Sequence, residues 1–553
     1  MPRMTGAYAL MEVLKAEGVT HVFGNPGTAE GAIIDALEHH PDFTYVLGTQ
    51  EGVVMGMADA YARLTGTVGF VNLHIDSGLA NGISLLTNAW EGGTPMVVTS
   101  ANKDVRKLAE GRVPLERMTE QFTKWSVEVT HPEQIPSVMR RAFQEAKTAP
   151  TGPVYVSFAA NALDDEGDMD ITPSDRRFDQ PRPDALATIE AGSILAEATH
   201  PVLIVGDRVA QANGVEEAVR LAELTGARVY NTGTGAVNFP AGHPQFLGPL
   251  NATMPAGRAA LAEADAVVVA GSSFGGYFYF AGRALPPGAR LIHIDQNANE
   301  IGKSEPTDVG IVASPKAALE ELADDLDARI SGEAREAAQI RRATVAEEHA
   351  ARRAAWQQRV EERWDLSPMS TERMMSEVAD ALPTNVLIVD DSITTRASVT
   401  GAYEFNEPTN LLGITGGALG WGMGAALGAK LARPEQPVVA IIGDGSSMMT
   451  VQALWTAAAS RIPVVYIICN NQAYRILKLN MNVYKTQIRQ ETNPDSKYLA
   501  MDFPVRFDIA AIAEAIGVRG QTVEDPATLA QAVRDAIALN EPIVLDVHID
   551  GAV

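Results

Sequence analysis

The chain has 553 residues and carries 44 basic against 69 acidic side chains, a net charge of −25, which excludes an electrostatic grip on nucleic acid or on an anionic membrane. Hydrophobic residues make up 46% and charged residues 20%, an ordinary globular balance that leads one to expect three domains at roughly 150–200 residues each. The single cysteine, Cys469, lies in an apolar run and suits a reducing cytoplasm; no basic segment followed by a long apolar run marks a leader, and no apolar stretch is long enough to span a bilayer.

Residues 4–18 have the pattern of an amphipathic helix closed by Gly18. A strand over 20–23 ends in Gly24-Asn25-Pro26-Gly27-Thr28, a helix runs to about Leu37, and a strand over 44–47 leads to Thr49-Gln50-Glu51. The helix after Glu51, GVVMGMADAYARL, is apolar on nearly every face; such a helix is buried in a core or in a subunit interface. Glu51 therefore stands at the N-terminal end of a buried helix, where a carboxylate either complements the helix dipole or does chemistry. A strand over 69–73 ends in His74-Ile75-Asp76-Ser77-Gly78, and strand, turn and helix alternate to about residue 160, the pattern of a doubly wound parallel sheet. Residues 164–190 are acidic, proline-bearing and unpatterned, as a linker is.

A second α/β unit opens with PVLIVGDRVA at Pro201. Its Gly206-Asp207-Arg208 turn lacks the GxGxxG spacing, so no dinucleotide fingerprint is present and FAD is not expected. Residues 317–366 read as a charged helical connection to a third unit beginning near Ser370. The expected domains are thus 1–165, 191–330 and 367–553, each an α/β doubly wound parallel sheet. In DDSITTR, Asp390 and Asp391 read as solvated or capping residues. Further on, an apolar run over 437–442 ends in Gly443-Asp444-Gly445, and a second over 463–469 ends in Asn470-Asn471, with a helical segment between them. Two short β-branched runs in that order form one βαβ unit, which sets Asp444 and Asn471 side by side at the carboxyl edge of the sheet, where open α/β sheets bind ligands. A carboxylate and a carboxamide together make a hard-oxygen site for Mg²⁺ or Ca²⁺ carrying phosphate oxygens. The glycines beside them let backbone N–H groups reach a phosphate.

GNPGT, TQE before a buried helix, NLH, GGALGWGMGAALG and GDG…NN follow one another across the whole chain. In this the sequence resembles the thiamin diphosphate (ThDP)-dependent 2-keto acid decarboxylase and acetolactate synthase family, and within it the benzoylformate decarboxylases. The resemblance implies pyrimidine-binding, central and diphosphate-binding domains, and a homodimer or homotetramer with each cofactor between two subunits. It implies that the side chains of Asp444 and Asn471 and the carbonyl of Ala473 bind the metal. Thr394, Gly443, Gly445 and Ser446 would surround the diphosphate, with Tyr474 closing over it. Leu419 would support the bend of the cofactor, Gly417 would offer its carbonyl to the 4′-amino group, and Glu51 would hold N1′ as a carboxylic acid. In the substrate pocket, Thr28 takes the place of the family's serine and His74 matches its proton-handling histidine, whereas Tyr277 stands where a second histidine belongs. Ile476 narrows the pocket and Asn480 makes it more polar, departures that lead away from benzoylformate and toward the acetolactate synthase-like relatives. The implied activity is non-oxidative decarboxylation of a 2-keto acid to an aldehyde, with no nucleic-acid or membrane partner. A carboligase joining two carbonyl substrates shares every cofactor residue. A non-catalytic regulatory protein of this fold is a third reading, against which intact Glu51, Asp444 and Asn471 speak.

Overall fold

The computed structural model describes residues 2–174, 180–252, 254–274 and 282–553. The chain forms two compact units. One comprises Met1–Arg177, Arg363–Ala402 and Leu412–Val553; the other comprises Phe178–Glu362 and Tyr403–Leu411.

In the first unit, β1 (Arg3–Thr5) pairs antiparallel with β8 (Glu166–Asp168), so the stretch expected as linker from 164 onward opens as a strand. Helix α1 (Gly6–Ala16) starts later than the sequence pattern suggests because Thr5 caps it, its hydroxyl accepting from Tyr8 N. The strands β2 (His21–Asn25), β3 (Thr44–Leu47), β4 (Gly69–Leu73), β5 (Met96–Asn102), β6 (Ser126–Val129) and β7 (Pro153–Ala159) form a six-stranded sheet in the order β3-β2-β4-β5-β7-β6, parallel throughout. Every residue of β4, β5 and β7 is buried, which is why these strands read as near-continuous apolar runs rather than alternating ones. Helices α2 (Glu51–Thr65) and α3 (Asp76–Gly92) follow β3 and β4.

The second unit holds a parallel sheet of β9 (Pro201–Val205), β10 (Arg228–Asn231), β11 (Phe246–Pro249), β12 (Ala266–Ala270), β13 (Arg290–Asp295) and β14 (Val309–Val312). Their order, β11-β10-β9-β12-β13-β14, is that of dinucleotide-binding domains, whose ligands lie where the order reverses, here between β9 and β12. The turns that end those two strands are in contact: a Cβ on Gly206 would come within 2.5 Å of the Gly271 carbonyl. Just beyond, the Arg208 guanidinium makes a two-pronged bond to buried Asp295, Nε to Oδ1 at 2.9 Å and Nη2 to Oδ2 at 2.7 Å. The stretch expected as a connection is two helices. The first, α4 (Pro315–Arg329), places Leu319, Leu322 and Leu326 in the core of this unit; the second, α5 (Gly332–Glu362), is charged and largely exposed.

The remaining strands belong with the first unit's second sheet: β15 (Leu387–Asp391), β16 (Leu411–Gly413), β17 (Val438–Gly443), β18 (Val465–Asn470), β19 (Arg519–Val523) and β20 (Ile543–His548), ordered β16-β15-β17-β18-β20-β19. Numbered from its own first strand, this order is 2-1-3-4-6-5, the same as in the β2–β7 sheet. Helix α6 (Trp421–Ala432) follows β16 as α2 follows β3.

Helices α2 and α6 meet backbone to backbone. A Cβ would lie 2.8 Å from the Trp421 carbonyl at Gly56, 2.5 Å from the Val53 carbonyl at Gly424 and 2.0 Å from the Met57 carbonyl at Gly428. The Trp421 indole donates to buried Asp59 at 2.6 Å, and Arg63 lies 3.7 Å from the same carboxylate and over the indole ring. The all-round apolar character of α2 is thus used within the chain itself, and its burial needs no subunit interface. Gly428→Ala should lower stability by about 1–3 kcal/mol, the usual cost of forcing a methyl group into a filled contact. Urea denaturation of the variant measures it, and an unchanged midpoint would mean that the two helices have room to spare.

Candidate active site

Helix α2 begins where the Gln50 side chain accepts from Val53 N at 3.0 Å, which puts Glu51 in the first turn. Glu51 is buried, and each carboxylate oxygen meets one amide. Asn25, at the end of β2, donates to Oε1 at 2.9 Å, and Asn81, on α3, donates to Oε2 at 3.1 Å. His74 is the neighbour of this carboxylate: a Cβ on Gly78 would meet both Glu51 Oε1 and His74 Cβ at 3.0 Å. The GNPGT turn lies directly on the imidazole, because a Cβ on Gly27 would fall 1.9 Å from His74 Nδ1. The next residue, Thr28, is exposed. The structure therefore brings Glu51 and His74 into one cluster, with Thr28 next in the chain to the glycine that lies on the imidazole.

Glu30, which the sequence did not single out, holds that cluster in place. It is fully buried and lies 2.9 Å from His74 Nδ1. It also accepts from the backbone N–H groups of Gly27, Ile75 and Ala101, each at 3.1 Å. An ionised carboxylate only accepts, so Nδ1 carries the hydrogen of this bond and a neutral His74 keeps Nε2 as an acceptor. In the sequence Glu30 is one acid in a first helical turn, and its partners beyond that turn come from two other segments.

At the carboxyl edge of the second sheet, β17 and β18 are parallel neighbours with Gly443 opposite Cys469, so Asp444 and Asn471 follow adjacent strand ends as the βαβ reading expects. Asp444 is buried. Its Oδ1 accepts from Gly445 N at 2.7 Å, and its Oδ2 from Asn471 N at 3.1 Å and Gln472 N at 2.8 Å. Burial pushes this carboxyl up to about 6, against the pull of those three backbone bonds. Asn471 Oδ1 accepts from Ala473 N at 2.9 Å. The positive φ of Gln472, 56°, turns the chain so that Tyr474 N bonds Met501 O and Phe503 N bonds Gln472 O. Tyr474 covers the turn: a Cβ on Gly445 would lie 2.6 Å from its ring, which packs edge-on to Phe503 at 4.7 Å.

The backbone at Gly443 and Gly417 borders open space, with nothing within 4 Å of a Cβ built on either; Gly417 also needs its φ of +76°. Leu419 is half-buried against the core, and Thr394 is half-buried in the turn after β15. On helix α7 (Arg475–Val483), Ile476 is half-buried and Asn480 exposed. Tyr277 lies outside the described residues. A buried carboxylate, a carboxamide oxygen and open glycine backbone at one sheet edge are a donor set that a divalent cation with a bound diphosphate can use.

Two expectations need correction. Asp390 and Asp391 are buried, not solvated. They form the end of β15 itself. Asp390 bonds the Ser392 N–H and hydroxyl and pairs with Arg396 at 2.6 Å. Asp391 bonds the Ser446 hydroxyl at 2.7 Å. That hydroxyl, expected to face a diphosphate, is therefore turned inward.

Residues 4–124, 189–322 and 393–547 match the N-terminal TPP binding, central and C-terminal TPP binding domains of thiamine pyrophosphate enzymes; thiamine pyrophosphate and ThDP are one compound. A benzoylformate decarboxylase of Pseudomonas aeruginosa is 32% identical over 552 residues, covering 98% of either chain. The chain belongs to the thiamine pyrophosphate enzyme family. A probable acetolactate synthase large subunit of Methanocaldococcus jannaschii is 28% identical, over 99% of this chain and 92% of its own. The solved ThDP-dependent 4-hydroxybenzoylformate decarboxylase of Rhodococcus jostii has a TM-score of 0.83 at 29% identity, covering 99% of each chain.

For a thiamine pyrophosphate enzyme built this way, Asp444→Ala should abolish detectable ThDP binding in calorimetry while the far-ultraviolet circular dichroism stays as in wild type. Undiminished cofactor affinity in the variant would remove Asp444 from the metal site.

Proposed function

We propose that the protein is a Mg²⁺- and ThDP-dependent lyase that decarboxylates a 2-keto acid, without oxidation, to an aldehyde. The observation that carries this reading is the imidazole of His74, fixed through Nδ1 by buried Glu30 beside the clamped carboxylate of Glu51. An acid–base group so placed is what returning a proton to a decarboxylated carbon requires.

In this reading the side-chain oxygens of Asp444 and Asn471 and the carbonyl of Ala473 would hold Mg²⁺, whose charge would favour the diphosphate. Thr394, Gly443, Gly445 and the backbone of Ser446 line the diphosphate, and Tyr474 shields it. Gly417 and Leu419 receive the aminopyrimidine and support the bend of the cofactor. Bound ThDP supplies the electron sink for the pair left behind when CO₂ departs. Glu51 holds and exchanges a proton at N1′. The Thr28 hydroxyl donates a hydrogen bond to the substrate carboxylate. His74 takes a proton at Nε2 and returns it to the carbon that lost CO₂.

The same reading includes a homodimer or homotetramer with each cofactor between two subunits. Exposed Trp90, Trp455, Leu499 and Val505 offer apolar surface for such contacts. It also includes the division into domains at 1–165, 191–330 and 367–553, and a cytoplasmic location, in keeping with a lone buried cysteine. Among the described residues no helix is long and apolar enough to cross a membrane.

A second reading, an acetolactate synthase-like carboligase, is favoured by half-buried Ile476 and by Asn480 on α7, and by the acetolactate synthase relative. A screen of 2-keto acids with ThDP and Mg²⁺ separates the two. The lyase should give aldehyde and CO₂ in equal amounts, and a ligated product in excess of aldehyde would replace it with the carboligase. On the best substrate, His74→Ala should lower turnover by about 10²–10⁴-fold, the usual worth of a positioned acid–base group, with ThDP affinity unchanged. Turnover near wild type would take proton transfer away from His74.

A further inference from the structure

The Asp391 carboxylate is fully buried at the end of β15, and its hydrogen bonds fall on one oxygen. Oδ2 accepts from Gly420 N at 3.0 Å, from Gly422 N at 2.9 Å and from the Ser446 hydroxyl at 2.7 Å. The Ser446 oxygen in turn accepts from Gly420 N at 2.8 Å. Oδ1 is buried and has no partner among the described residues. Two glycines let the loop reach this carboxylate. At Gly422 a Cβ would lie 2.5 Å from the Asp391 Cβ, and Gly420 has a φ of +92°, in the left-handed region. The Thr450 hydroxyl bonds the Gly420 carbonyl from below.

The other side of the loop is held from the first sheet's helix. Asn88 on α3, itself buried, donates to the Ala418 carbonyl at 2.9 Å and accepts from Ala418 N at 3.1 Å. The segment 416–422 is therefore suspended between Asn88 and Asp391, and it carries Gly417 and Leu419. Asp391 ties it to Ser446, two residues past Asp444.

Burying a carboxylate is costly unless its bonds are good ones. Burial first, and the Asp390 charge after it, push Asp391 up to about 6 against the Ser446 and Gly422 bonds, which pull the other way. An apolar residue of similar volume would be easier to bury, so packing does not account for an acid here. What an apolar residue could not do is collect two backbone N–H groups of one loop and the hydroxyl of another on a single oxygen.

We propose that Asp391 is a positioning residue for the cofactor, locking the loop that bears Gly417 and Leu419 to the Asp444–Ser446 turn so that ThDP meets both in one register. This rests on the cofactor assignment under the proposed function. In that assignment Leu419 supports the bend of ThDP and Asp444 anchors its diphosphate, so their separation has to match one molecule.

The test compares wild type, Asp391→Asn and Ser446→Ala. Calorimetry gives the ThDP affinity in excess Mg²⁺, and hydrogen exchange of the protein without ThDP gives the protection of the Gly420 and Gly422 amides. Asparagine keeps the size of the side chain but weakens a charge-assisted set of bonds and puts an NH₂ where Oδ1 has no acceptor. Asp391→Asn should bind ThDP about 10- to 100-fold more weakly, with faster exchange confined to the loop. Ser446→Ala should show the same pattern to a smaller degree. A purely structural role would lower the unfolding midpoint without changing affinity. If wild type binds ThDP and a folded Asp391→Asn binds it equally well, the inference is overturned and the cofactor assignment stands. If wild type does not bind ThDP, the assignment falls and takes the inference with it. Should Asp391→Asn fail to fold, Ser446→Ala decides: unchanged affinity and unchanged exchange at Gly420 overturn the inference.

Discussion

The contact on which the rest of the first unit depends is the glycine-lined approach of α2 to α6. Three glycines, Gly56, Gly424 and Gly428, let carbonyl oxygens of the opposite helix sit where side chains would otherwise be. Backbones that close leave little freedom to slide. Because each helix follows the second strand of a sheet with the same 2-1-3-4-6-5 order, the contact joins equivalent elements. The start of α2 carries Glu51, and the turn into α6 carries Gly417 and Leu419. The third strands correspond as well: β4 runs into His74 and β17 into Asp444. Residues expected to serve one cofactor thus stand at matching places in two copies of one topology.

Four buried acids around these strand ends differ in what holds them. Glu30 meets three backbone N–H groups and the His74 ring. Glu51 meets two side-chain amides. Asp391 gathers two loop N–H groups and one hydroxyl on one oxygen. Asp444 meets the N–H groups of its own turn and of the next strand's end. Satisfied by backbone, Glu30 is an orienting group. Asp444 retains lone pairs beside open glycine backbone and suits a cation. The partner set, more than the residue type, separates an acid that positions from one that binds.

What could be read from the sequence follows the range of the interactions. The strands are short β-branched runs closed by glycine and asparagine, so their ends, and with them Glu51, His74, Asp444 and Asn471, are local signals. The adjacency of Asp444 and Asn471 needs only one βαβ crossover. Glu30, Asn25, Asn81, Asn88 and Asp391 were not legible as site residues, because each acts through partners contributed by distant segments. Asp391 misled for a local reason: Asp-Asp-Ser has the composition of a turn, whereas the strand runs on to the second aspartate. Strand β8 was hidden because its partner β1 lies at the far end of the same domain. The shared strand order of the two sheets left no repeat visible in the residues, since a topology constrains where apolar runs fall and not which side chains fill them.

The central claim is that the clamped carboxylate of Glu51 serves the cofactor held by Asp444 and Asn471. Hydrogen–deuterium exchange at C2 of ThDP, followed by NMR after acid quench, addresses it directly, with wild type and Glu51→Gln each saturated with ThDP and Mg²⁺. The account predicts rapid exchange on the wild-type protein and exchange slowed by orders of magnitude on Glu51→Gln, with cofactor still bound, because an amide keeps the shape of the clamp but cannot pass a proton at N1′. Exchange as fast in the variant as in wild type would contradict it and leave Glu51 a structural residue.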